Sequence, residues 1–317
     1  MRVSVPGNIL LLGEYAVLEE GGLGLAMAVE RRVQISARPA EGLSVEGSWP
    51  GSALSWTPRA PSASPLVSAA VDAVARWLGD AGRQRPAWST HISVDSSAFF
   101  LSDGRKSGLG SSAAVTVGLV CALLGAVVRR DTMPAGTVPL LALQAHRAAQ
   151  GGAGSGYDVT CSFYGGCGVF RGGAAPGWEP CRLSWDPSVA LFPGPAPVST
   201  PEAVRRYTKW KQGSPGAAKE FLDESNHCVR AFVRAPSPGE AARRLRDCAR
   251  LGIAIGDAIG VPARISVPPG LDSEVCKALG AGNELGACLF SSESPAPPEQ
   301  AGVQRMPLSK GGVTWEE

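Results

Sequence analysis

Lys106-Ser107-Gly108-Leu109-Gly110-Ser111-Ser112-Ala113-Ala114 opens a run that carries no charge from Ser107 to Val128 and stops at Arg129-Arg130. Its two glycines let the backbone turn tightly and approach a ligand without a Cβ in the way. The apolar stretch behind them has the length and content of a helix. The first N–H groups of such a helix lack partners, and its dipole favours negative charge there. Phosphate suits that position. Ser111 and Ser112 add hydroxyls for phosphate oxygens or Mg²⁺, and Lys106 adds a cation. The same residues also describe a Gly/Ser turn that caps a core helix, and local physics leaves both readings open. The pattern is not the G-x-x-x-x-G-K-[ST] loop. The run reaches membrane-spanning length, but its Gly/Ser/Ala content and its isolation in the chain favour a buried helix.

Outward from this loop stand three further clusters. Gly151–Gly156 leads into Tyr157-Asp158-Val159, where Asp158 either serves a cleft mouth, orienting an attacking group and binding Mg²⁺, or caps a turn. Gly280-Ala281-Gly282-Asn283-Glu284-Leu285-Gly286 reads as a closing loop or as ordinary turn chemistry. Near the start, Pro6-Gly7-Asn8 and Gly13-Glu14-Tyr15 predict strand, turn, strand over Val3–Val5 and Ile9–Leu12.

Between these clusters the pattern predicts strands at Ala26–Ala37, His91–Val94, Tyr164–Phe170, Arg264–Val267 and Ala287–Phe290. Helices are predicted at Pro65–Leu78, Ser111–Val128, Leu140–Gln150, Glu202–Lys211, Lys219–Val233 and Gly239–Ile259. Gly42 to Pro61 reads as hairpins and loops. Strands dominate the first third and helices most of the rest, so the fold class is α+β. The Pro/Gly-dense stretch Ala174 to Pro201 is a plausible domain junction, which divides the chain into 1–185 and 186–317.

The chain has 317 residues, 44% apolar and 18% charged, with a net charge of +2. That charge argues against a broad nucleic-acid-binding field. Eight cysteines without a CxxC pair, beside three histidines, give little support to zinc or thioredoxin-type chemistry. Reduced, buried thiols in a cytoplasmic protein are expected. The N-terminus does not read as a signal peptide.

In this order the four clusters resemble the motifs of the GHMP kinase superfamily. Val5 to Leu18 resembles its Pro-Gly-Lys…Gly-Glu-[His/Tyr] motif, Lys106–Ala114 its ATP loop, and Gly280–Cys288 its third, glycine-rich motif. Within the superfamily the phosphomevalonate kinases fit best. Ala145-His146-Arg147-Ala148-Ala149-Gln150-Gly151-Gly152-Ala153-Gly154-Ser155-Gly156-Tyr157-Asp158-Val159 is similar to their Ala-His…Gln-Gly…Gly-Ser-Gly-Phe-Asp-Val segment. Ser199-Thr200-Pro201, Val204 and Lys209-Trp210-Lys211 are similar to their Ser-x-Thr…Val…Trp-Lys segment.

The resemblance implies a two-domain fold with a ligand cleft and phosphoryl transfer from ATP to the phosphate of 5-phosphomevalonate. It implies ATP on Gly108, Leu109, Gly110, Ser111, Ser112 and Ala113, with Mg²⁺ on Ser112 and Lys106 and Asp158 as catalytic residues. The acceptor, a small phosphorylated acid, falls to Asn8, Glu14, Tyr15, Ser155, Gly156, Ser199, Thr200 and Gly282. Arg147, Lys209, Lys211 and Arg264 are candidate cations for its phosphate. No nucleic acid or membrane partner is expected, and a monomer or homodimer is. Two positions depart from the family pattern. Asn8 stands where Lys is usual, and Asn283, Glu284 and Leu285 replace glycines. Mevalonate kinase, another small-molecule kinase of the superfamily, or a ligand-binding protein of the same fold with weak catalysis are the alternatives.

Overall fold

The computed structural model describes residues 1–82, 88–101, 104–152, 154–195, 198–291 and 302–316. In chain order the elements are β1 (Arg2–Leu12), β2 (Leu23–Pro39), β3 (Leu43–Trp49), β4 (Ser52–Trp56), α1 (Pro65–Asp80), β5 (Thr90–Asp95), α2 (Ser111–Gly125), α3 (Thr137–Ala149) and α4 (Tyr157–Tyr164). There follow β6 (Cys167–Arg171), β7 (Gly177–Pro180), β8 (Pro187–Pro193), α5 (Thr200–Gly213), α6 (Pro215–Val233), α7 (Pro238–Ile259), β9 (Cys276–Leu279), β10 (Leu285–Ser291), β11 (Gln304–Met306) and β12 (Thr314–Glu316). The α+β class stands.

Two compact units divide the chain. The first holds Met1–Asn8, Ala28–Gly166 and Ser309–Glu317; the second holds Ile9–Met27 and Cys167–Leu308. The expected cut between 185 and 186 therefore falls inside the second unit. Long strands are the reason: β1 and β2 each give one part to either unit, so no single cut can separate them. The Pro/Gly-dense stretch expected as a junction carries β7 and β8 instead.

In the first unit β2 pairs antiparallel with β5, β5 parallel with β3, and β3 antiparallel with β4 across Pro50-Gly51. Helices α1, α2, α3 and α4 pack on one another. Helix α2 has no polar face. Leu119, Val120, Leu123 and Leu124 are all fully buried, and each such side chain contributes about 1.5–3 kcal/mol relative to exposure. Among the described residues no helix is long and apolar enough to cross a membrane. Ser64 caps α1 by accepting from Val67 N, with Pro65 at the first helical position.

The second unit has a four-stranded sheet in the order β11-β8-β10-β9. Its hairpin β6–β7 pairs with Leu23–Met27 of β2. Tyr15, Tyr207, Phe221, Ile255, Ile259 and Val261 form an apolar core, against which Trp210 and Val198 pack.

Three sequence readings change. Pro6-Gly7 is not a turn, because β1 runs through it unbroken. A Cβ on Gly7 would lie 2.7 Å from both Leu109 O and Phe99 Cε1, and Asn8 N donates to Leu109 O at 3.0 Å. The glycine is there so that the strand can touch the loop before α2. The strand expected at Tyr164–Phe170 begins only at Cys167, because Tyr157–Tyr164 is helical. Two turns are too short for helical periodicity to declare itself. No strand forms at Arg264–Val267.

Gly7→Ala should lower stability by about 1–3 kcal/mol, the usual cost of overpacking. Gly239→Ala, where a Cβ meets nothing within 4 Å, should be neutral or stabilising by up to about 1 kcal/mol. Thermal melts of both variants against the parent check this.

Candidate active site

The first unit holds the Gly108–Ser112 loop at the head of α2. Gly110 sits at the N-cap of α2 with φ 71° and ψ 32°, a left-handed conformation, and no side chain caps the helix. The opening N–H groups of α2 therefore have no side-chain cap at this position. Beneath them lies Asn8, 2% exposed. Its Nδ2 donates to Asp158 O at 3.2 Å and to Ser162 Oγ at 2.9 Å. A Cβ on Gly110 would fall 2.3 Å from that same nitrogen. Asn8 Oδ1 and Ser107 Oγ are buried with no hydrogen-bond partner.

His146, on α3, joins the two predicted site residues. Gln150 Nε2 donates to His146 Nε2 at 3.1 Å. An amide nitrogen can only donate, so with the amide in this orientation Nε2 accepts and the ring proton sits on Nδ1. That nitrogen faces Asp158 Oδ2 at 3.7 Å. Ser112 Oγ lies 3.1 Å from the same Nε2, whose single lone pair it shares with the Gln150 amide. Asp158 Oδ1 accepts from Val159 N at 2.9 Å. Sequence reasoning quoted His146 only as part of a family segment and gave it no role. Its spacing of four from Gln150 on a predicted helix was the available signal.

Arg147 does not present its guanidinium to a ligand phosphate. Its Nε and Nη2 donate to Gly154 O and Ser155 O at 3.0 and 2.8 Å and hold the second glycine loop. Ser155 and Gly156 are buried at the head of α4, while Lys106 is exposed just before the phosphate loop.

The second unit brings together Glu14, Tyr15, the Gly280–Gly286 loop and the start of α5. Tyr15 has φ 63°, rare and strained for a bulky residue. Its hydroxyl donates to Ala281 O, and its ring stacks on Tyr207 with centroids 5.2 Å apart. Gly282 lies against Val198, immediately before the exposed Ser199 and Thr200. Glu284 is exposed and accepts from Val198 N at 3.4 Å, so its charge is directed to the 198–200 segment. Asn283 Nδ2 donates to Arg264 O at 2.9 Å. Lys211 and Arg264 are engaged by Glu19 and Asp257.

Sequence reasoning missed Lys277. It is 3% exposed, and its Nζ donates to Leu11 O at 2.9 Å, to Ala278 O at 2.6 Å and to Glu14 Oε1. Burial pushes the Glu14 carboxyl above its ordinary range, against the pull of Lys277. A lone lysine inside the short apolar strand before the third glycine loop was the only trace in the sequence. Lys277→Met should cost about 3–5 kcal/mol by leaving Glu14 buried and unpaired. Lys277→Met combined with Glu14→Gln should recover part of that loss, as read by urea unfolding.

For Mg²⁺ the donors of the first unit fit: the Ser112 hydroxyl oxygen, the Asp158 carboxylate and the orphaned Asn8 carbonyl are hard oxygens. Among the described residues no group of three or more His, Cys, Asp or Glu could hold a metal by itself. This donor set suits an ion that arrives with a nucleotide.

Residues 65–166 match the family described as GHMP kinases N terminal domain. A phosphomevalonate kinase of Streptomyces sp. strain CL190 is 26% identical over 96% of this chain and 95% of its own length. A phosphomevalonate kinase of Saccharolobus solfataricus is 31% identical over 52% of this chain and 47% of its own length. Among solved structures, Streptococcus pneumoniae phosphomevalonate kinase in complex with phosphomevalonate and AMPPNP superposes with a TM-score of 0.72. It is 16% identical and covers 92% of both chains. The stretch that matches the GHMP kinase N-terminal domain holds the Gly108–Ser112 loop, and over nearly its full length the chain's sequence is similar to that of a phosphomevalonate kinase.

Proposed function

We propose that this chain transfers the γ-phosphoryl group of ATP to the phosphate of 5-phosphomevalonate, giving ADP and 5-diphosphomevalonate. The observation that carries the reading is the uncapped head of α2 with Ser112, His146 and Asp158 joined beside it. The full-length likeness to a phosphomevalonate kinase supports the choice of acceptor.

An acceptor-phosphate oxygen attacks the γ-phosphorus while the bond to the β,γ-bridging oxygen breaks. The acceptor phosphate has its second pKa near ~6, so at neutral pH it is already mostly a dianion. A strong base has little to remove, and the protein's work is positioning and charge neutralisation. The Gly108–Ala113 backbone would hold the donor phosphates, with Lys106 as the nearby cation. Ser112, hydrogen-bonded to His146, and Asp158 would hold Mg²⁺, which supplies charge neutralisation when bound. His146 keeps both groups in one arrangement. Asn8, Ser155 and Gly156 of the first unit, and Glu14, Tyr15, Ser199, Thr200 and Gly282 of the second, are the proposed acceptor residues. The cytoplasm, which supplies MgATP, is the proposed location, and the proposed state is a monomer or homodimer.

Purified protein with MgATP should release ADP on addition of 5-phosphomevalonate. Turnover of mevalonate instead would make it the kinase one step earlier, and binding without ADP release would make it a ligand-binding relative. Ser112→Ala and Asp158→Ala should each lower kcat by roughly 100-fold, the scale of losing one preorganised polar group. His146→Gln, which can still accept the Ser112 proton, should retain more activity than His146→Leu.

A further inference from the structure

The second unit contains six of the eight cysteines, and they stand in three neighbouring pairs. Cys276 and Cys288 form a disulfide across the antiparallel strands β9 and β10, where they stand directly opposite each other. This departs from the expectation of reduced thiols throughout. Cys167 and Cys181 occupy the same kind of position one step beyond the β6–β7 ladder. Cys181 N donates to Cys167 O at 2.9 Å, and their sulfurs are 3.3 Å apart. Cys228 on α6 and Cys248 on α7 line one small cavity where those helices pack. The two cysteines of the first unit, Cys121 and Cys161, are fully buried.

We propose that Cys167/Cys181 and Cys228/Cys248 are dithiol oxidation sites that react with a low-molecular-weight disulfide and close to a second and a third bridge beside Cys276–Cys288.

The chemistry is thiol–disulfide exchange. The outer thiolate attacks one sulfur of the small disulfide and releases one thiol. The inner cysteine, on losing its proton, attacks the mixed disulfide and releases the second. Each site thus loses two hydrogens, and one small disulfide becomes two thiols. The attacking sulfur must be reachable and poised as thiolate. Cys181 and Cys228 meet both needs. Each is half-buried, and the S–H of its partner, directed at it, holds its thiol below the ordinary range. Cys248 is buried, and its thiol is pushed up by its hydrogen bond to Cys228 and by burial, which suits the resolving partner. Burial also pushes Cys121 up to about 12, so it stays inert.

The sites adjoin functional residues of the same unit. Cys228 and Cys248 line a small cavity with Gly13 and Glu14. Cys276 immediately precedes Lys277, which holds Glu14, and the Cys276–Cys288 bridge brackets the Gly280–Gly286 loop.

The test is a disulfide map of the full folded chain after equilibration in glutathione buffers of increasing oxidised fraction. Samples are quenched in acid, alkylated without reduction and digested for mass spectrometry. The expected result is three intrachain bridges, 167–181, 228–248 and 276–288, with Cys121 and Cys161 alkylated only after denaturation. Cys248→Ser should leave Cys228 as a stable glutathione adduct, and Cys167→Ser should do the same for Cys181. Free thiols at both sites in the most oxidising buffer, unresolved adducts in the parent protein, or scrambled bridges would overturn the proposal. The map reads covalent state alone, so its outcome is separate from whether the chain turns over 5-phosphomevalonate.

Discussion

The carboxamide of Asn8 occupies the space that a side chain on Gly110 would need, and the arrangement of the phosphate loop depends on that close packing. One buried amide reaches the carbonyl of Asp158 and the hydroxyl of Ser162, while its backbone N–H holds Leu109 O. It therefore ties β1 to the heads of both α2 and α4. A charged side chain in the same pocket would need a paired anion or bound phosphate to offset its desolvation. Asn8 makes this tie without charge, so here the position is a structural joint before it is a ligand contact. Its Oδ1 is buried with no hydrogen-bond partner.

His146 extends the joint. It lies on α3, yet its two ring nitrogens address residues of α2 and α4. The direction of each proton follows from a single donor, the Gln150 amide. Polar groups held in place by one another are the form in which electrostatics contribute most to catalysis.

In the second unit the corresponding constraint is the burial of Lys277 with Glu14. Two opposite charges out of water are tolerated because two backbone carbonyls share the ammonium. Such a pair adds little net stability but strongly penalises any other geometry. It fixes the turn that holds Tyr15 at positive φ, a strain that persists because stacking on Tyr207 and a hydrogen bond to Ala281 determine the ring's place. The departures in the third loop fit this frame. Glu284 turns to Val198, and Asn283 holds Arg264 O, so polar side chains now anchor a loop that glycines shape in the family pattern.

The sequence by itself determined the α+β class, most helices, and the glycine turn at the head of α2, because each rests on local chemistry: glycine placement, apolar periodicity and the needs of a helix N-terminus. It also marked Asp158 and Asn8 as positions to watch. Only the tertiary structure decided what they touch. His146 shows only its spacing from Gln150 and Lys277 no local pattern, since Ser112 and Glu14, which they meet, are 34 and 263 residues away in sequence. The unit boundaries were illegible for the same reason: strands β1 and β2 look uniform along their length but pair with different neighbours at either end. The cysteine pairs, separated by as few as 12 residues, follow from ladder register and helix packing, which composition cannot express.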